Sequence, residues 1–203
     1  MRPIGIYYAY WTREWDVDFV PFVARVKRLG FDQLEINAGT LARISRAERA
    51  RLREEAEAEG IDLSYGIGLP PDRDVSSLDE ATRRTGVAFM KEIIAAIGEM
   101  GGGMVGGTVH SYWPATPPPD LETKRRILDR SAESMAELLP EAEQANVVIN
   151  VEVINRFEQF LLNTAEEAVE YASRFTSPNL GILLDTFHMN IEEDDLGGAI
   201  RTA

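Results

Sequence analysis

The 203-residue sequence contains no cysteine, which removes disulfide frameworks and thiolate chemistry and is compatible with a reducing compartment. Basic residues are in deficit: 21 Lys and Arg stand against 34 Asp and Glu, a formal charge of −13 and a pI near 4.6. Such a balance argues against a nucleic-acid surface, because phosphate binding requires a basic face. Long apolar runs are missing too; no stretch approaches the roughly 20 residues of a membrane span. The start, Met1-Arg2-Pro3-Ile4-Gly5-Ile6, has no long apolar signal core. A soluble cytoplasmic protein without nucleic-acid or membrane partners is the expectation. No glycine-rich dinucleotide fingerprint follows the first apolar segment.

What is present is 44% hydrophobic residues, enough for a substantial core in a single domain over residues 1–203. Apolar segments rich in β-formers recur at Pro3–Tyr10, Phe31–Ile36, Ile61–Ile67, Met104–His110, Val147–Glu152 and Leu180–Asp185. Helical patterns separate them: Asp16–Leu29, a charged helix opening at the capping box Ser45-Arg46-Ala47-Glu48, and one opening at Ser77-Leu78-Asp79-Glu80. Leu121–Ala145 is expected to bend at Pro140, a helix capped by Thr164 to end near Phe175, and a last one to begin at Gly197. Strands alternating with helices specify an α/β fold with a parallel sheet. Two architectures compete, a six-stranded open sheet and a (β/α)₈ barrel of which about six βα units are present. Length favours the open sheet, since a barrel typically needs about 250 residues. Chemistry favours the barrel, and a partial barrel is the expectation: Tyr7, Glu35, Gly66, His110, Glu152 and Asp185 fall at or near the C-terminal ends of successive strands, where barrel enzymes assemble their sites.

The stretch Gly181-Ile182-Leu183-Leu184-Asp185 runs apolar residues, expected to be buried on both faces, into a carboxylate. Val147-Val148-Ile149-Asn150-Val151-Glu152 repeats the pattern. Two strand-end carboxylates suit a hard divalent cation such as Mg²⁺ or Mn²⁺, and an added imidazole extends the range to Co²⁺ or Zn²⁺. Sharing one cation places their oxygens within about 5 Å of each other, given ligand distances of roughly 2.0–2.6 Å. The competing role is structural, each acid capping a helix or pairing with an arginine. His188, on the exit from the last strand, either bonds a carbonyl or meets a polar substrate or metal. Glu158 either reaches over a ligand or pairs with Arg156. Tyr7, Trp15 and Trp113 serve as packing residues or as walls of a sugar site. His110 carries a weaker functional case.

Taken together, Gly5-Ile6-Tyr7-Tyr8-Ala9-Tyr10-Trp11, His110-Ser111-Tyr112-Trp113-Pro114, Glu152-Val153-Ile154-Asn155-Arg156-Phe157-Glu158 and the run from Leu184 to Asp194 resemble the ketose 3-epimerases. These are the D-tagatose/D-psicose 3-epimerases of the xylose-isomerase-like TIM barrels. The resemblance implies a divalent metal, Mn²⁺ foremost with Co²⁺ or Mg²⁺ as alternatives, held in part by Glu152 and Asp185. It implies Glu152 as a catalytic acid/base, Glu158 and His188 as substrate contacts, and Tyr7, Trp15, Gly107 and Trp113 around the sugar. The partner it implies is a small-molecule ketose, and it makes the full-length protein a homo-oligomer. The family's ligating histidine, second catalytic glutamate and substrate arginine correspond to positions after Ala203, so the domain is expected to be truncated before its last two βα units.

The activity so implied is metal-dependent inversion at C3 of a free ketohexose, by carboxylate proton transfer through an enediolate. Two other readings stand beside it: a related metal-dependent aldose–ketose isomerase, and a fragment that binds sugar without turnover.

Overall fold

The computed structural model describes residues 2–203. Six strands form one parallel sheet: β1 (Gly5–Tyr7), β2 (Gln33–Asn37), β3 (Asp62–Leu69), β4 (Gly103–Tyr112), β5 (Val147–Val153) and β6 (Leu180–Leu184). Eight α-helices intervene or follow: α1 (Val20–Leu29), α2 (Ala38–Arg43), α3 (Arg46–Glu59), α4 (Glu80–Glu99), α5 (Leu121–Gln144), α6 (Ala165–Ala172), α7 (Thr186–Glu192) and α8 (Leu196–Thr202). The strand order is β1-β2-β3-β4-β5-β6, each strand pairing in parallel with its neighbour in sequence. A doubly wound sheet reverses its strand order at a switch point. No reversal occurs, so successive crossovers wind in one direction, as in a (β/α)₈ barrel. Among the described residues the sheet is not closed: β1 and β6 each pair on one side only.

The two-residue period of β5 shows how the wall is built. Val147, Ile149, Val151 and Val153 have no solvent exposure, while Val148, Asn150 and Glu152 alternate with them and are half-buried. One face therefore packs under the helices and the other carries the polar chemistry. The expectation that the last strand is buried on both faces does not hold, because every residue of β6 is half-buried. It forms an edge of the sheet and has neighbours on one side only.

Helix ends follow local chemistry. The Ser45 and Thr164 capping boxes are both formed, and α1 and α3 stop at Gly30 and Gly60 in the left-handed conformation. At the start of α4 the expected box at Ser77 is absent. Asp79 is the cap, accepting from the Thr82 amide at 2.8 Å, while Ser77 Oγ accepts from the Asp79 amide. A carboxylate is the stronger acceptor, and it shifts the helix start by two residues. Pro140 lies inside the continuous helix α5. The first strand is shorter than its apolar run, since Tyr8–Tyr10 turn into a 3₁₀ helix, and α1 begins at Val20 rather than Asp16. Helix α6 stops at Ala172, before Phe175. No helix among the described residues is long and apolar enough to cross a membrane.

Candidate active site

At the C-terminal ends of the strands lies a cavity of about 550 Å³. Tyr7, Trp15, Gly107, Trp113, Glu152, Glu158, Asp185 and His188 all line it, so the eight residues singled out from sequence meet in one place. Glu35, Asn37, Gly66 and Thr108 also line it. A larger cavity of about 720 Å³ lies between α1, α2 and α3, but its arginines are already satisfied, Arg43 by Asp16 and Arg51 by Asp18. No unpaired chemistry converges there.

Glu152 and Asp185 stand at neighbouring strand ends because β5 and β6 pair in register, Glu152 opposite Leu183 and Val153 opposite Leu184. Each of Glu152, Asp185 and His188 offers one ligand atom, and the three atoms lie within 4.8 Å of one another. The Glu152 carboxyl is pushed up to about 7 by burial first, then by the negative charges of Asp185, Glu35 and Glu158. Among the described residues no lysine or arginine pairs with Glu152 or Asp185; the ring nitrogen Nε2 of His188 is 3.8 Å from Glu152 Oε1. Uncompensated carboxylates in a partly buried cluster fit a hard divalent cation, which would reverse the repulsion they now exert on one another. Asp185 has a structural duty as well: Oδ1 caps α7 by accepting from the Phe187 amide at 2.7 Å. The structural and ligand readings of this residue are therefore compatible, since its second oxygen is left for the cavity.

His188 is not on a loop. It sits in the first turn of α7, 8% exposed, held by Asn155. Glu158 does not pair with Arg156. Its Oε2 accepts from Trp113 Nε1 at 3.0 Å and its Oε1 from Asn155 Nδ2 at 2.8 Å. Arg156 turns away to Glu192, whose side chain is only 2% exposed and takes the Arg156 backbone amide together with its guanidinium. That pair ties the loop after β5 to α7 and so holds Glu158 and His188 on adjacent supports. Trp113 precedes a cis proline, Pro114. At the cavity mouth the Trp15 carbonyl accepts from Tyr8 Oη and Thr40 Oγ1, which anchors the loop bearing the exposed indole. Gly107 has φ +122°, and a Cβ there would stand 2.0 Å from the Ile67 carbonyl oxygen, so only glycine lets β4 lie this close to β3. Burial raises the Tyr7 hydroxyl well above its ordinary range.

His110 does not reach the cavity. It is fully buried with its ring 6.4 Å from that of Tyr171 on α6, and neither ring nitrogen has a hydrogen-bond partner among the described residues. Sequence reasoning gave Asn155 no role of its own. Its one visible signal is its place between the strand-end Glu152 and Glu158, which does not reveal its contact with α7.

A family model described as xylose isomerase-like TIM barrel matches residues 23–202. The D-psicose 3-epimerase of Ruminiclostridium cellulolyticum is 40% identical over 199 residues, covering 98% of this chain and 68% of that protein. The D-psicose 3-epimerase of Agrobacterium fabrum is 39% identical over 199 residues, with the same two coverages, 98% and 68%. A crystal structure of D-psicose 3-epimerase in the presence of D-fructose superimposes with a TM-score of 0.94 at 39% identity, covering 99% of this chain and 69% of that one.

Proposed function

The chain belongs to the ketose 3-epimerases of the xylose isomerase-like TIM barrel family, and on that premise we propose that its site inverts C3 of a free ketohexose of the D-fructose and D-psicose type. The observation that carries this reading is the convergence of Glu152, Asp185 and His188, with ligand atoms within 4.8 Å of one another, in one cavity at the strand ends. A carboxylate at that position is placed to exchange a proton with a carbon of a bound sugar. In a ketose, C3–H is adjacent to the C2 carbonyl. Loss of that proton to Glu152 moves the electron pair into an enediolate, and delivery of a proton to C3 from a second acid/base on the opposite face inverts the centre.

Glu152 and Asp185, with His188 beside them, are the residues that would hold a divalent cation, for which we name Mn²⁺. When bound, it supplies Lewis-acid stabilisation of negative charge on the substrate oxygens. Glu158 and His188 orient the hydroxyls about the reacting carbon. Glu158 is held rigid by Trp113 and Asn155, so it presents a fixed acceptor surface. Tyr7, Trp15 and Trp113 give apolar faces for the sugar's C–H edges, and Gly107 keeps β4 close to β3 in the cavity wall.

Inversion needs an acid/base on each face. The relatives extend beyond the matched region, and we assign the second acid/base and the remaining ligands to residues outside these 203. By the same reading the 203 residues form one barrel domain lacking two βα units, and the intact protein is a cytoplasmic homo-oligomer.

The test is conversion of D-fructose by the intact protein carrying this sequence, with Mn²⁺, in deuterated water. Deuterium at C3 of D-psicose is the expected result. Label at C1 or C2 with aldose product would make it an aldose–ketose isomerase, and sugar binding without exchange would make it a binding module.

A further inference from the structure

We propose that Glu35, three strands away from Glu152 in the sheet, is a substrate-specificity residue whose carboxylate receives the hydroxyl at the C6 end of the ketose; the proposal rests on the epimerase reading and extends it. Glu35 lies on β2, in register with Tyr7 of β1 and Ser64 of β3, and its side chain lines the same cavity as Glu152. It stands over Gly66: a Cβ at that position would be 2.9 Å from Glu35 Oε1. The absence of a side chain at 66 is therefore what gives the carboxylate its place.

No hydrogen bond or ion pair among the described residues satisfies this carboxylate, and burial without a compensating donor raises its pKa. Other withdrawn acids in this chain have partners. Asp74 accepts from the amide and hydroxyl of Ser76, and Glu192 takes the Arg156 guanidinium. A carboxylate held away from solvent without such partners is costly, so a purely structural Glu35 would be expected to have acquired them. Its donor then comes from outside the chain.

The same geometry identifies the donor as the sugar's tail. Glu35 is not among the residues whose ligand atoms cluster with Glu152 and Asp185. Strands β3 and β4 separate β2 from β5, and on these two strands Tyr65, Ile67 and Thr108 line the cavity together with Gly66, Gly68, Gly106 and Gly107. With C2 and C3 at the Glu152–Asp185 end, a six-carbon chain extends past these two strands toward Glu35. A terminal hydroxyl is a donor of the right kind, and a charge-assisted bond to it is among the stronger neutral-ligand contacts.

The experiment measures sugar affinity rather than turnover. Trp15 and Trp113 line the cavity, so tryptophan emission can report binding to the intact protein, with and without Mn²⁺. D-fructose is compared with 6-deoxy-D-fructose on wild type, Glu35→Gln and Glu35→Leu. Wild type is expected to bind D-fructose about tenfold tighter than the deoxy sugar. Glu35→Leu should erase that preference while leaving deoxy-sugar affinity within about threefold, and Glu35→Gln should fall between them. A wild type that binds both sugars equally overturns the proposal without recourse to any variant, as it would if water satisfied Glu35. Equal losses for both sugars in Glu35→Gln overturn it too. A wild type that binds neither sugar, by contrast, removes the epimerase reading itself.

Discussion

The side-chain amide of Asn155 donates to His188 Nδ1 at 2.7 Å and, through the same nitrogen, to Glu158 Oε1 at 2.8 Å. Its Oδ1 is committed to the Phe157 amide at 3.0 Å, which leaves the NH₂ group to face both neighbours. His188 Nδ1 must then be the acceptor, so the ring proton of the neutral imidazole is on Nε2, the atom 3.8 Å from Glu152 Oε1. One amide thus sets the tautomer of the histidine and the orientation of the glutamate.

Asn155→Asp replaces that donor with an acceptor facing Glu158. Turnover of D-fructose should fall about tenfold or more, since two hydrogen bonds are replaced by repulsion. ¹⁵N shifts of His188 should lose the Nε2–H signature. An unchanged tautomer would show that Asn155 is not what orients the ring.

Glu152→Gln keeps the shape and removes both the charge and the base. Epimerisation should drop by a factor of about 10² to 10⁴. The metal-free fold should be no less stable, because one member of a mutually repelling carboxylate group is neutralised. Activity near wild type would mean that another group takes the proton.

Mn²⁺ should raise Tm in a concentration-dependent way. A hundredfold excess over Kd contributes about 2.7 kcal/mol, which for a domain of this size is roughly 5–10 °C. Asp185→Asn should abolish most of that shift, and calorimetric scans with and without chelator measure it. No shift in wild type would count against a cation at Glu152 and Asp185.

His110 predicts acid sensitivity. Desolvation pushes its imidazole down to about 3, below the ordinary 6.5. Between those values the unfolded chain binds a proton that the folded chain does not, so stability falls as pH falls, by up to about 1.4 kcal/mol per pH unit. The contribution is complete above pH 6.5, and no more is lost once the pH is below about 3. His110→Phe removes this dependence and leaves stability at pH 7 nearly unchanged, because neither ring nitrogen has a partner to lose. Urea melts of both proteins at pH 7 and pH 5 decide it; parallel losses would show that His110 is not responsible.

The site was legible where strand-end chemistry is periodic. Glu152 and Asp185 end apolar runs on successive strands, and parallel pairing in register makes such ends neighbours. Helix α7 was not legible, because Thr186–Glu192 is short and its start depends on Asp185 turning back to cap it. Helix α2, six residues opened by Asn37, was missed for the same reason. The Ser77 box failed because sequence spacing cannot rank two acceptors competing to start the same helix.

By itself the sequence determined the alternation of strands and helices, the polar residues at strand ends and the family to which those words belong. These are local properties: a two-residue period, a cap, a glycine stop. The tertiary structure decided the winding and the partners. Strand order excludes the doubly wound sheet, since pairing is a long-range property that no local pattern encodes. It also decided that Glu158 answers to Trp113 and Asn155, that Arg156 goes to Glu192, and that Glu35 faces the cavity without a donor. Each of these depends on where two segments far apart in sequence come to rest, because hydrogen bonds and desolvation act over a few ångströms of space and are indifferent to position along the chain.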